Sequence, residues 1–337
     1  MESQLFMGCD ISQDSFHYCL SSKSEILQEG QVINAIKPIR TWLKNLQKNN
    51  MFDLSQIIFC LEHTGVYSAI LLRELSSLPL TIYLESAVNI QRSLGLQRGK
   101  NDKIDAQRIA QYAMRNADRL VPWKPKRQII ERLQLLIRMR ERLIKARMDI
   151  SRFNLDARRF LPKEESKMVI AGSKKSLEAI GKDIQKVDEN IKSLITSDEN
   201  LSRLTKLITS IDGVGLVTCS TILVRTNEFN DFKEAKKFSC TAGIAPFEHS
   251  SGKSVRGKTR VSHYAHKDLK TLLHMCAVGC ISRKGELRDY YDRKLNQGKN
   301  KMSVLNAIRN KLVHRVFAVV RDNTMYQKNY QYNLRMV

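Results

Sequence analysis

Acidic residues are in short supply. The 337-residue chain carries 34 Asp and Glu against 57 Lys and Arg, a formal charge of +23 at pH 7. A surplus this large argues against acidic or neutral partners and points to a polyanion, of which nucleic acid is the commonest. Paired cysteine motifs are missing too. Cys9, Cys19, Cys60, Cys219, Cys240, Cys276 and Cys280 are scattered and odd in number, with no CxxC pair. That argues against a disulfide framework and a thiolate zinc site, leaving buried thiols in a reducing cytoplasm as the expectation. No run of 18 apolar residues occurs, so no membrane span is expected. The opening "MESQLFMGCDIS" lacks the charged segment and long apolar core of a signal peptide. Neither an internal repeat nor a low-complexity tract stands out.

What is present supports real cores. Hydrophobic residues make up 42% of the chain, and its length suits two or three domains. Residues 4–10 and 14–22 read as strands across a tight polar turn, with a third short strand at 30–35. The stretch 36–49 has helical period, with Ile39, Trp42, Leu43 and Leu46 on one face. "QIIFCLE" (56–62) is an apolar run suited to a strand buried on both faces. A helix at 65–77, a strand at 80–85 and a helix at 86–95 follow. Three strands, then alternating helices and strands, is an α/β pattern with a mixed sheet in the ribonuclease-H-like order.

Beyond residue 101 the pattern is helical. Asn101 is a good N-cap, with Asp102 in the first turn. "VPWKPK" (121–126) breaks this helix, and 127–160 reads as a long one, with 12 basic and four acidic side chains over 124–159. After "FLPKEES", 168–196 reads as its antiparallel partner. The expected organisation is a catalytic domain over 1–120, a helical coiled-coil region over 121–200 and a helical C-terminal domain over 201–337. In the last, "LTKLITSIDGVGLVTCSTILVRT" resembles a helix-hairpin-helix, and Gly213 and Gly215 would let backbone N–H groups approach a DNA phosphate. Residues 247–263 read as a polar, basic loop rich in Gly and Ser. His263 and His266 form a His-x-x-His without an acid or thiol partner, which favours phosphate contact or helix packing over metal ligation.

Four acids carry the chemistry. Asp10 ends the first strand and Glu62 the fourth, and in a ribonuclease-H-like sheet those strands are neighbours. Asp102 and Asp105, three apart, share one face of the next helix. If that helix crosses the sheet, four carboxylates converge. At about 4 Å and an effective dielectric near 20, each pair would repel by roughly 4 kcal/mol, so the cluster takes up protons or binds cations. Oxygen ligands at this density suit Mg²⁺ or Mn²⁺, which polarise a scissile phosphate and activate its attacker. Individually, Asp102 is also explained as a first-turn acid, and Asp105 as a surface pair with its lysine and arginine neighbours.

The pieces "GCDISQDSFHYCL", "LEHTGVYS", "GKNDKIDAQRIAQYA", "IDGVGLVTCSTIL" and "TAGIAPFEHSSGKSVRGKTRVSHYAHKDLKTLL" stand in an order that resembles one family. It is the DEDD-type insertion-sequence transposases related to the Piv DNA invertases, described as bridge-RNA-guided recombinases. The resemblance covers nearly the whole chain. It implies a RuvC-like N-terminal domain in which Asp10, Glu62, Asp102 and Asp105 fill the four acidic positions. Lys100-Asn101-Asp102 replaces the commoner Lys-Thr-Asp, and both Asn and Thr cap a helix. It further implies a nucleophilic serine in a Ser-Gly pair. Here that pair is Ser251-Gly252, with Ser250 as the neighbouring alternative. Ser251 would attack a phosphodiester and form a phosphoserine link, with metal assistance. Lys253, Arg256, Lys258 and Arg260 would hold adjacent phosphates. Donor and target DNA, a guide RNA and a homo-oligomer are the partners implied. A Holliday-junction resolvase-like nuclease that uses water as its attacker, and a non-catalytic nucleic-acid-binding module, remain the alternatives.

Overall fold

The computed structural model describes residues 4–48, 53–95, 101–251, 255–261 and 266–328, with the backbone alone at 94, 247–251 and 255–260. The chain divides into two compact units, Met1–Pro125 and Lys126–Val337.

The first unit is built on a five-stranded sheet. β1 (Leu5–Ile11), β2 (Ser15–Ser21) and β3 (Ile26–Ile33) form an antiparallel meander, and β4 (Ile57–Glu62) and β5 (Thr81–Glu85) run parallel to β1, in the order β3-β2-β1-β4-β5. That order is the ribonuclease-H-like one expected. Alternation along β1 decides the two faces. Leu5, Met7, Cys9 and Ile11 join Phe16, Phe59 and Leu61 under α1 (Ile36–Lys48) and α2 (Ala69–Ser76). The α1 residues picked out by period, Ile39, Trp42, Leu43 and Leu46, are the ones buried there. Phe6, Ile58, Cys60 and Tyr83 face the other way, against α3 (Ala87–Leu94) and α4 (Asp102–Asn116), through Ile90, Ile109, Tyr112 and Ala113.

Gly8 sets how closely α4 approaches. A Cβ there would lie 2.2 Å from the Ala106 carbonyl oxygen and 2.3 Å from the Ala110 nitrogen. Both atoms are helix backbone, so only glycine admits α4 at this depth. Small residues at Ala106 and Ala110 complete the fit.

The second unit begins with α5 (Gln128–Phe160) and α6 (Lys163–Thr196), an antiparallel hairpin. α6 starts at Lys163, five residues earlier than its apolar stripe suggests, because Pro162 stands at the N-cap and Glu164 and Glu165 suit the first turn. At its base Ile130, Leu133, Ile137, Val187, Ile191 and Ile195 enter the core formed by α7 (Glu199–Thr209), α8 (Leu216–Thr226), α9 (Ala235–Thr241), α10 (Lys267–Ile281), α11 (Glu286–Asn296) and α12 (Lys301–Asp322). Between α9 and α10 the segment expected to be a loop is a hairpin, β6 (Pro246–Ser251) with β7 (Val255–Val261). Cross-strand pairing supplies what its polar composition does not advertise.

After α8 the backbone makes a left-handed turn through three non-glycine residues, Asn227, Glu228 and Phe229, with φ of 49°, 55° and 64°. Glu228 is buried and accepts hydrogen bonds from Arg127 Nη1 and Asn200 Nδ2, each at 2.7 Å. Arg127 also pairs with Asp198. The Asp198 carboxyl is held below the usual range, first by the Leu201 N–H it caps and then by Arg127, against an opposing push from burial. These contacts fasten the start of α5 to the α6–α7 junction and to the strained turn. All seven cysteines are free thiols. Among the described residues no helix is long and apolar enough to cross a membrane.

Candidate active site

One end of the first sheet carries a row of functional side chains. Asp10 on β1 is the register partner of His17 on β2. Cys9 partners Leu61, so the next position in parallel register sets Asp10 beside Glu62, and Glu62 in turn partners Glu85 on β5. His17, Asp10, Glu62 and Glu85 therefore cross four adjacent strands in line, on the face that α4 covers.

α4 brings the other two acids to this end. Asn101 accepts the Lys103 N–H and fixes the helix start, so Asp102 and Asp105 fall in the first turn. Asp102 is exposed, and its Oδ2 lies 4.0 Å from His17 Nδ1. Asp105 is half-buried and accepts a hydrogen bond from Arg108 Nη1 at 2.7 Å. All four expected acids thus share one face and one end of the unit. Among the described residues no three His, Cys, Asp or Glu side chains are close enough to hold a metal ion together. As a donor set, four carboxylates at a sheet edge fit a hard divalent cation.

Besides His17, the sequence does not single out Glu85 in the row or Glu29 beside it. Glu85 accepts hydrogen bonds from the Tyr112 hydroxyl at 3.0 Å and from Asn89 Nδ2 at 2.9 Å, while its carbonyl accepts the N–H of His63 at 2.7 Å. Burial, then the bond to Glu85, pushes the Tyr112 hydroxyl well above its ordinary pKa. On the opposite side, Glu29 of β3 meets Lys103 Nζ at 2.9 Å and Gln107 Nε2. Burial alone would raise the Glu29 carboxyl; the bonds from Gln107 and Lys103 outweigh it and hold it low. Glu85, ending an apolar strand as Glu62 does, carried the same signal in the sequence.

In the second unit Ser251 is the last residue of β6, in register with Val255, and Ser250 is in register with Arg256. Arg256, Lys258 and Arg260 occupy alternate positions of β7. Gly252, Lys253 and His263 lie outside the described residues. His266 stands at the N-cap of α10, where its N–H donates to the Thr241 carbonyl at 3.1 Å. Gly213, with φ of +85°, is packed on α10: a Cβ there would lie 2.3 Å from Cys280 Sγ and 3.0 Å from the Cys276 carbonyl oxygen. Gly215 caps α8 and has open space around its Cβ position.

The two glycines are therefore expected to respond differently to alanine. Gly213→Ala should cost about 1 kcal/mol or more, since its φ suits glycine and Cys280 must shift. On the expectation that this turn meets a DNA phosphate, Gly215→Ala should weaken DNA binding in a filter or anisotropy assay while leaving the urea midpoint unchanged, since its Cβ position is open. Unchanged DNA affinity in a folded Gly215→Ala chain would remove this turn from the nucleic-acid surface.

Comparison with known proteins matches this arrangement. A DEDD transposase model of the IS110 type matches residues 7–156, and a model described as the transposase IS116/IS110/IS902 family matches residues 205–292. The pilin gene-inverting protein of Moraxella bovis is 25% identical over 340 residues, covering 97% of this chain and 98% of its own. The transposase for insertion sequence element IS1111A of Coxiella burnetii is 27% identical over 184 residues, covering 47% of this chain and 48% of its own. A T. thermophilus RuvC solved in complex with a Holliday junction substrate aligns over 36% of this chain and 99% of its own, at 9% identity and a TM-score of 0.29.

An acid-edged ribonuclease-H-like unit followed by a helical unit, with transposase models matching both, defines a DNA recombinase of the transposase class. Within that class the chain belongs to the IS116/IS110/IS902 transposase family.

Proposed function

We propose that this enzyme excises and inserts an insertion sequence by cleaving and rejoining DNA through a phosphoserine intermediate. The observation that carries the reading is the shared edge of the first unit, where Asp10 and Glu62 are register neighbours and the first turn of α4 supplies Asp102 and Asp105. These four carboxylates are the ligands proposed for Mg²⁺ or Mn²⁺. The metal would supply Lewis-acid activation of the attacking hydroxyl and neutralise charge developing on the phosphate.

Ser251, at the end of β6, is the proposed nucleophile. Its Oγ bonds to phosphorus as the bond to a DNA sugar oxygen breaks, and that oxygen leaves with the proton as a free hydroxyl. A hydroxyl of the recombining strand then attacks the phosphoserine, restoring a DNA phosphodiester and releasing the serine. Lys253, Arg256, Lys258 and Arg260 would hold flanking phosphates, and the basic surplus of +23 supports a polyanionic substrate. A structured non-coding RNA as guide, assembly as a homo-oligomer through the α5–α6 hairpin, and a cytoplasmic location with action on the nucleoid complete the reading. The family resemblance supports the guide RNA.

The test is amplification of an excised-circle junction from cells carrying the gene in its native flanking DNA. Wild type should give a junction; Asp102→Ala and Ser251→Ala should give none while accumulating as folded protein. A junction surviving Ser251→Ala moves the nucleophile to Ser250 or to water, the latter being the resolvase-like chemistry. No junction from any of the three leaves a silent copy or a binding module.

A further inference from the structure

The proposed metal ligands belong to two separate elements. Asp10 and Glu62 are fixed to the sheet, whereas Asp102 and Asp105 travel with α4. Whether they can meet depends on how α4 lies across the strands. Three contacts set that angle, each from a different strand. β3 holds the helix start, where Glu29 receives Lys103 and Gln107. β1 lets the middle down onto Gly8 through Ala106 and Ala110. β5 holds the far side, where Glu85 receives the Tyr112 hydroxyl.

We infer that Glu29 and Glu85 are positioning residues that set α4, and with it Asp102 and Asp105, for divalent metal; the inference rests on the metal reading above. At Glu85 the role is that of a hydrogen-bond acceptor. Its partners, Tyr112 and Asn89, are neutral donors, and among the described residues no cation pairs with it. It is the register neighbour of another carboxylate, Glu62. A glutamine would accept the tyrosine hydroxyl as well, so what this position must supply is an acceptor for Tyr112. Glu29 acts on the opposite flank and in a second way. By holding the Lys103 ammonium at 2.9 Å it draws that charge toward β3 and away from Asp102, the residue next in the chain. Removing Glu29 frees a cation to compete for a carboxylate that the metal would use.

Removal of groups that orient metal ligands typically weakens metal affinity by about 10- to 100-fold. The experiment is Mn²⁺ binding to the full chain, followed by the electron paramagnetic resonance of free Mn²⁺, with thermal midpoints measured in parallel. Glu85→Ala, Tyr112→Phe and Glu29→Ala should each bind about tenfold more weakly than wild type. Glu85→Gln, which still accepts from Tyr112, should bind within about twofold of wild type and guards against a misfolded alanine variant. The Glu85→Ala/Tyr112→Phe double variant should be no weaker than either single one. Glu85→Ala binding like wild type, while Asp102→Asn is weakened, overturns the positioning role alone. Glu85→Gln as weak as Glu85→Ala overturns it in favour of direct ligation. A wild-type chain that binds no Mn²⁺ overturns this inference and the metal reading together.

Discussion

Gly8→Ala is expected to abolish excision and to destabilise the first unit by about 3 kcal/mol, the upper range for overpacking a tight core. The added methyl would meet the Ala106 carbonyl oxygen at 2.2 Å and the Ala110 nitrogen at 2.3 Å. Neither atom can turn aside as a side chain would, so the strand bends or α4 lifts. Lifting α4 strips cover from Ile109 and Ala110 and withdraws Asp102 and Asp105 from the edge that holds Asp10 and Glu62. The loss of activity should therefore exceed the loss of folded protein. Urea denaturation of the purified variant alongside the junction assay separates the two. A stable Gly8→Ala chain with normal excision would mean that the close approach of α4 is irrelevant to the acidic edge.

Glu228 offers the second large effect. Removing its carboxylate deprives Arg127 and Asn200 of an acceptor in a buried setting. A charged hydrogen bond of this kind is worth about 2 kcal/mol, less than a fully buried ion pair because Arg127 is half exposed and keeps Asp198. Glu228→Ala should lose about that much. Glu228→Gly loses the same bonds but relieves a left-handed residue with φ of 55°, recovering about 1 kcal/mol. The expected order of urea midpoints is wild type, then glycine, then alanine. An alanine variant as stable as the glycine one would show that the turn is not strained at this residue.

Much of the first unit is legible in the sequence for a physical reason. Its central strands are buried on both faces and appear as continuous apolar runs, as in "IIFCLE", while α1 shows a clean helical period. β3 was harder. It lies at the sheet edge, its residues are largely half-exposed, and it begins at Ile26 rather than at residue 30. The β6–β7 hairpin was hidden altogether. "HSSGKSVRGKTR" has neither β-branched density nor apolar alternation, and only pairing between its two halves makes it strands. Asp10 and Glu62 could be picked out because each is an acid ending an apolar strand. Glu85 satisfies the same criterion, but nothing local says that β5 lies beside β4. His17 and Glu29 were beyond reach for a different reason. Their roles come from strand register and from a helix that starts seventy or more residues later.

The α5–α6 hairpin also changes what a small packing error means. A helix of 33 residues is about 50 Å long. Rooted where Ile130, Leu133 and Ile137 enter the core, with Ile129, Leu136 and Leu143 packed against it, the helix behaves as a lever with a short fulcrum. A tilt of about 5° at that root sweeps the tip near Pro162 through roughly 4 Å, on the same 50 Å length. Methyl groups buried at the base thus govern the aim of side chains several helical turns away.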